Sequence, residues 1–281
     1  MSIGGRQTSR IATLGIAKPA VLLASLVVFS HAAWSQALPE QELEQTTPAP
    51  TPNWNVTLGI GPSERPVYVG AKRYHVDPFF FGSVSYRNLS LGPAGLGTNL
   101  INTDGFRIGP VVGYEDGRDS DGDPHLHGLH NIQPSIMAGA FVAYRLGSFE
   151  LNGTFRQAVI HTNNGLIGRV QLDYLDSFFG KRLAVRVGPE VDLGDGRYEK
   201  TWFGINGHQS LASGLPAYFP QGGVVDAGFH AILNYKYSDS IVLRAIGDIR
   251  QFDGDVSHSP IVETKTQGFI GIGIGYHFTF E

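Results

Sequence analysis

The stretch 269–280 reads Phe-Ile-Gly-Ile-Gly-Ile-Gly-Tyr-His-Phe-Thr-Phe, and it constrains the fold more than any other feature. Ile270, Ile272, Ile274, Tyr276, Phe278 and Phe280 alternate with Gly271, Gly273, Gly275, His277 and Thr279. Successive side chains of a strand point to opposite faces, so this segment is a strand with one apolar and one small or polar face. The same two faces recur upstream. In 182–193, Leu183, Val185, Val187, Val191 and Leu193 oppose Arg182, Arg186, Glu190 and Asp192. In 229–237, Phe229, Ala231, Leu233, Tyr235 and Tyr237 oppose His230, Ile232, Asn234 and Lys236. In 241–252, Ile241, Leu243, Ala245 and Ile249 oppose Arg244, Asp248 and Arg250. No stretch sustains a helical period, which predicts an all-β chain.

A soluble sandwich shows the same alternation, with its apolar face buried. Three features favour lipid instead. The strands reach the roughly 9–11 residues that a tilted strand needs to cross a bilayer. Tyr144, Phe149, Phe178, Phe179, Tyr235, Tyr237, Tyr276, Phe278 and Phe280 cluster near strand ends, as in interfacial girdles. Tight connections such as Gly147-Ser148 and Ser238-Asp239-Ser240 alternate with long ones at 116–135, 195–223 and 253–266. The predicted fold is a transmembrane antiparallel β-barrel after a cleaved signal peptide.

The segment ahead of the barrel supports export. Arg6, Arg10 and Lys18 precede the apolar run 20–29, which falls short of the roughly 20 residues of a membrane helix. Ser35 and Ala37 supply the small residues of a signal peptidase site, giving a signal peptide at 1–37. Residues 38–53 (LPEQELEQTTPAPTPN) have little to bury and read as a flexible periplasmic leader, with the barrel at 54–281. Loss of the three basic residues takes the net charge from −4 to −7, so a basic nucleic-acid footprint is absent. With no cysteine, disulfide scaffolds, thiolate metal sites and thiol nucleophiles are excluded.

Strand candidates fall at 54–61, 78–87, 89–101, 106–115, 136–146, 149–160, 166–178, 182–193, 224–237, 241–252 and 268–280. That count is odd, whereas a bacterial single-chain barrel requires an even one. Either one segment before residue 101 does not span, or Pro66–Tyr74 or Tyr198–Ile205 adds a strand; the expectation is 10 or 12 strands. Such a lumen is narrow, with Arg156, Arg169, Asp173, Arg186, Glu190, Arg244, Asp248 and Arg250 as its charged candidates. They either pair across the lumen as a plug or tune the selectivity of a pore. Glu281, after the aromatic Phe280, departs from the usual ending of such barrels.

Several blocks, in order, resemble the MipA/OmpV family of Gram-negative outer-membrane proteins. Pro66-Val67-Tyr68-Val69-Gly70 is followed by Tyr74 and Pro78, then by Leu96-Gly97-Thr98-Asn99-Leu100. Gly117-Arg118-Asp119 precedes Leu126 and Gly128-Leu129. Phe203-Gly204-Ile205 leads to Gln209-Ser210, Ser213-Gly214-Leu215-Pro216 and Tyr218; Gly254-Asp255 leads to Ser259-Pro260-Ile261-Val262. The resemblance, spanning about Trp54 to Phe280, implies a scaffold in the cell outer membrane. There it bridges a periplasmic lytic transglycosylase and a peptidoglycan synthase during murein synthesis. A narrow channel for small solutes is the alternative, and adhesion through the long loops a third.

Other chemistry has less support. Asp119, Asp121 and Asp123 open like a calcium loop, but its twelfth position is His130 rather than an acid. His125, His127 and His130 have no partner pattern that specifies zinc. His208, Ser210, Ser213 and His258 lie in long loops without the spacing of a nucleophile–base–orienter group. The Gly271–Gly275 alternation has no following helix, so it is no dinucleotide loop. The sequence therefore predicts no catalytic residue, metal or cofactor, and membrane lipid is the expected surrounding.

Overall fold

The computed structural model describes residues 54–280; the expected signal peptide (1–37), the expected leader (38–53) and Glu281 lie outside them. The chain forms β1 (Trp54–Pro66), β2 (Tyr74–Tyr86), β3 (Leu89–Gly92), β4 (Gly95–Thr98), β5 (Ile101–Thr103) and β6 (Phe106–Glu115). These are followed by β7 (Ser135–Leu146), β8 (Phe149–Ala158), β9 (Leu166–Phe178) and β10 (Leu183–Gly194). Two short helices, α1 (Gly196–Phe203) and α2 (Gly207–Ser213), precede β11 (Gly223–Lys236), β12 (Ile241–Phe252) and β13 (Thr266–Phe280).

Each strand pairs antiparallel with its neighbour, and β1 closes the ring on β13 from Trp54↔Phe280 to Glu64↔Ile270. The closed barrel has 12 strands, with β5 continuing the line of β4 along β6. Trp54 fastens the closure by stacking on Tyr86 at 4.5 Å and on Phe280 at 6.0 Å.

Burial is inverted relative to a sandwich. Ile270, Ile272 and Ile274 are 56%, 55% and 53% exposed, whereas Asp173, Glu190 and Asp192 are at most 3% exposed. Apolar side chains therefore face outward to lipid and charged ones face the lumen, the arrangement of a membrane barrel. The connections at one end are tight turns, such as Gly147-Ser148; those at the other end are long, at 116–134, 195–222 and 253–265. The long-loop end is extracellular and the short-turn end periplasmic.

The uneven strand count resolves in segment 89–101, expected as one strand. Pro93 cannot donate a ladder hydrogen bond, and Gly95 turns at φ +115°, so the segment folds into the β3–β4 hairpin. A Cβ at Gly95 would come within 2.1 Å of the Val112 carbonyl, which fixes the residue type. Neither proposed extra strand forms: 67–73 is a turn, and Tyr198–Ile205 lies largely in α1. The all-β expectation misses both helices because each is only two turns long. Their signals are in their caps: the Asp195 carboxylate accepts from Tyr198 N–H at 2.7 Å, and Asn206 and Gln209 form a reciprocal capping box.

Candidate functional site

The lumen holds a continuous array of opposite charges built from alternate residues of β6 and of β8 to β12. At the periplasmic side Arg107 binds Glu150 at 2.7 Å, and Arg186 reaches Glu150 at 3.4 Å and Asp173 at 2.8 Å. Asn152 also donates to Asp173 at 2.7 Å, and His230 lies between Asp173 (2.8 Å) and Glu190 (3.3 Å). Further up, Arg169 contacts Asp192 at 2.5 Å, and Gln171 donates to Glu190 at 2.9 Å. Arg250 gathers Glu190 (2.8 Å), Asp248 (3.0 Å), Asp192 (3.2 Å) and Asp226 (3.9 Å). Desolvating so many ions costs several kcal/mol each, which only close pairing of opposite charges offsets.

Of the eight sequence candidates, Arg169, Asp173, Arg186, Glu190, Asp248 and Arg250 join this array. Arg244 stands apart: its Nε donates to Asn234 at 2.7 Å, and its guanidinium lies 4.9 Å above the Phe81 ring. Arg156 is buried near the upper end, where a Cβ on Gly113 would meet its guanidinium at 3.4 Å. The array also recruits Arg107, Glu150, Asn152, Gln171, Asp192, Asp226 and His230, which sequence reasoning did not single out. Asp192 and His230 sit on the polar faces of their alternating segments, so face assignment carried that signal; cross-lumen pairing was hidden.

Over this array the long loops pack into a lid. Tyr68, Ala71, Leu126, Leu129, Ile205 and Ile261 form one buried apolar cluster contributed by four different connections. Ile132, Trp202, Phe203, Val225, Phe252 and Val256 form a second. Polar ties lock the loops together. Ser259 Oγ donates to Phe203 O at 2.6 Å, Tyr218 Oη to Asp255 O at 2.6 Å and Tyr68 Oη to Ile261 O at 3.3 Å. Arg118 donates to Trp202 O at 2.5 Å. Gly128, at φ +85°, lies so close to α2 that a Cβ would stand 2.5 Å from the Ala212 carbonyl carbon. The separate sequence blocks around Tyr68, Arg118, Phe203, Tyr218 and Ser259 thus converge on one structure.

Burial in the lid shifts two charged groups. Arg118 is drawn down to about 10 by desolvation, against the influence of Tyr68. Glu199 on α1 is pushed up to about 7 by burial, with Asp255 and Asp195 adding to it and a 3.1 Å bond from Gly222 N–H opposing it.

The residues weighed for metal or catalysis have structural duties. Asp119 caps the Asp121 N–H, Asp123 accepts from His125 N–H and pairs with Arg73, and the His125 ring contacts Pro260 O at 2.9 Å. Ser210 and Ser213 each donate to a backbone carbonyl at 2.7 Å, Leu215 and Gln209 respectively. His258 contacts Gly254 O at 3.0 Å.

Between the array and the lid lies a cavity of about 380 Å³. The charged floor includes Arg169, Asp192, Asp226 and Arg250, and Leu126, Trp202 and Phe203 line it from the lid.

A closed, charge-filled barrel with an apolar outer belt defines an integral outer-membrane protein. The model of the family described as MltA-interacting protein MipA matches residues 58–278, so the chain belongs to that family. It is 22% identical to outer membrane protein OmpV of Vibrio cholerae over 180 residues, 64% of this chain and 67% of the relative. To outer membrane protein Omp26La of Vibrio anguillarum it is 23% identical over the same shares. Among solved structures, an outer-membrane channel of Pseudomonas putida F1 aligns over 83% of this chain and 97% of its own, at 10% identity and TM-score 0.41. The protein is an outer-membrane β-barrel.

Proposed function

We propose that this barrel is a non-conducting platform that holds murein-hydrolysing and murein-synthesising enzymes at the inner face of the outer membrane. The observation that carries this reading is the double closure of the lumen, by the ion-pair array below and the packed loop lid above. A rigid, filled barrel suits anchorage. Its working surface is then the periplasmic rim together with the leader 38–53, with a lytic transglycosylase and a peptidoglycan synthase as partners. The family description, which names an MltA-interacting protein, supports the first of these. The platform itself performs no catalysis in this reading.

The test is a gentle-detergent pull-down of the tagged mature protein from its own envelope. Co-recovery of a lytic transglycosylase and a synthase, lost when residues 38–53 are deleted, is the expected result. A folded barrel that returns without murein enzymes overturns the platform. A narrow solute channel is the second reading, favoured by the cavity beneath the lid. Conductance steps in planar bilayers from the intact protein would favour it.

A further inference from the structure

Two buried carboxylates at the extracellular end of the lumen each keep an oxygen without a partner. Glu115, the last residue of β6, and Asp226 in β11 are 4% and 5% exposed, and both line the cavity beneath the lid. Glu115 Oε2 and Asp226 Oδ1 have no hydrogen-bond partner among the described residues. Arg250 approaches Asp226 only to 3.9 Å, beyond hydrogen-bond range, and is already shared with Glu190, Asp192 and Asp248. The excess of negative charge extends around the whole cavity. Six carboxylates and four arginines line it. Adding Arg156, whose charge acts on Glu115, and the ion-pair partners of the lining residues sets nine carboxylates against six arginines. Arg118, held by the Trp202 carbonyl at 2.5 Å and not by a carboxylate, is included in that count. A buried carboxylate without a countercharge is costly, so the cavity calls for a cation.

Geometry decides which cation. β6 and β11 stand five steps apart on a ring of twelve strands, so Glu115 and Asp226 occupy nearly opposite walls. They do not converge on one point as metal ligands must, and no group of three ligating side chains occurs among the described residues. Between them lies α1. The charges of both carboxylates act on Tyr198, whose ring centroid is 6.0 Å from that of Trp202, and both aromatic residues line the cavity. Aromatic rings attract an ammonium group and also give apolar contact to methylenes. The lining extends to Asp119 and Gly122, exposed residues of the 116–134 connection, which puts the entrance on the extracellular side.

We propose that the cavity binds a short linear aliphatic diamine, which spans the lumen with one ammonium at Glu115, the other at Asp226 and its methylene chain against Tyr198 and Trp202. The volume falls within the roughly 300–1,000 Å³ of small-molecule pockets. This site faces the outside and is separate from the periplasmic rim to which partner recruitment is assigned.

The test is isothermal titration calorimetry of the intact protein with cadaverine, in uncharged maltoside micelles at mildly alkaline pH. Carboxylates are ionised there and the amines keep their protons. Saturable binding of one diamine per barrel is expected. Pentylamine should bind about tenfold more weakly and pentanediol more weakly still, because each step removes a charge-assisted bond. Glu115→Gln and Asp226→Asn should each lower the cadaverine affinity about tenfold for the same reason. Two fixed anchors also select a length, so along a series from diaminopropane to diaminodecane the affinity should peak at one chain and fall beyond it. That series uses the unaltered protein and therefore decides the matter if a variant fails to fold. No saturable binding, equal affinity for cadaverine and pentylamine, or affinity rising steadily with chain length overturns the proposal. So does a folded Glu115→Gln or Asp226→Asn variant that binds cadaverine as the unaltered protein does.

Discussion

Arg250→Met tests whether the lumen is a plug. The Arg250 guanidinium is 6% exposed and holds Glu190, Asp192 and Asp248 within 3.2 Å, with Asp226 at 3.9 Å. Methionine keeps much of the side-chain length but leaves these carboxylates with Arg169 as their nearest remaining arginine partner. Breaking a buried pair from one side costs about 3–5 kcal/mol, because the stranded charge stays desolvated. A water-filled pore would screen the same contacts to about 0–1 kcal/mol, the range of exposed pairs. Urea unfolding in lipid vesicles, followed by tryptophan fluorescence, separates these outcomes. The double variant Arg250→Met/Glu190→Gln should recover part of the loss, since it removes one stranded carboxylate. A loss below about 1 kcal/mol in the single variant would refute the plug, because it would mean that water already surrounds the array.

Further outcomes follow from the same geometry. The intact barrel should give no stepwise conductance in planar bilayers at neutral pH, whereas a variant lacking the 195–222 lid segment and carrying Arg250→Met should leak ions. Ser259→Ala removes the donor to Phe203 O at 2.6 Å and leaves a buried carbonyl unpaired, costing about 1–3 kcal/mol in unfolding experiments. Glu199 makes the lid pH-sensitive. Its carboxyl titrates at about 7 when folded against 4.5 when free, so between those values the unfolded state releases its proton first. Stability therefore falls as pH rises from about 4.5 to 7, by at most about 3 kcal/mol at 1.36 kcal/mol per unit. Once the intrinsic pH dependence of exchange is divided out, hydrogen-exchange protection across 195–222 should be higher at pH 5 than at pH 8, and Glu199→Gln should abolish that difference in protection.

Alternation made the barrel legible, because period-two patterning is a local property that each strand carries on its own. β6, β9 and β12 fall at their expected bounds of 106–115, 166–178 and 241–252 for that reason. The β3–β4 hairpin escaped because four-residue strands leave too few alternations to read, although Pro93 and Gly95 mark its turn. α1 and α2 escaped because helical period cannot establish itself in seven or eight residues. For the lumen, the polar faces pointed to which residues look inward. Which charges meet depends on the register of seven strands together, as when Arg250 of β12 reaches Asp192 of β10 across β11. The lid is legible only as separate blocks, since Ser259 and Phe203 are joined by folding and not by spacing.

The division of labour between the two faces explains how such a chain can specify one state. Lipid tails are as apolar as Ile272 or Phe229, so the outer belt fixes depth in the membrane but supplies little drive for one register over another. Specificity must come from the interior and the lid. In the interior, a one-residue slip of any strand turns its charged side chains into lipid and strands their partners, a penalty of several kcal/mol per ion. In the lid, apolar side chains from distant connections meet as in a soluble core, where water rather than lipid is the alternative and burial contributes about 25 cal/mol per Å². The charge array therefore selects the register, and the lid holds the extracellular ends of the strands together.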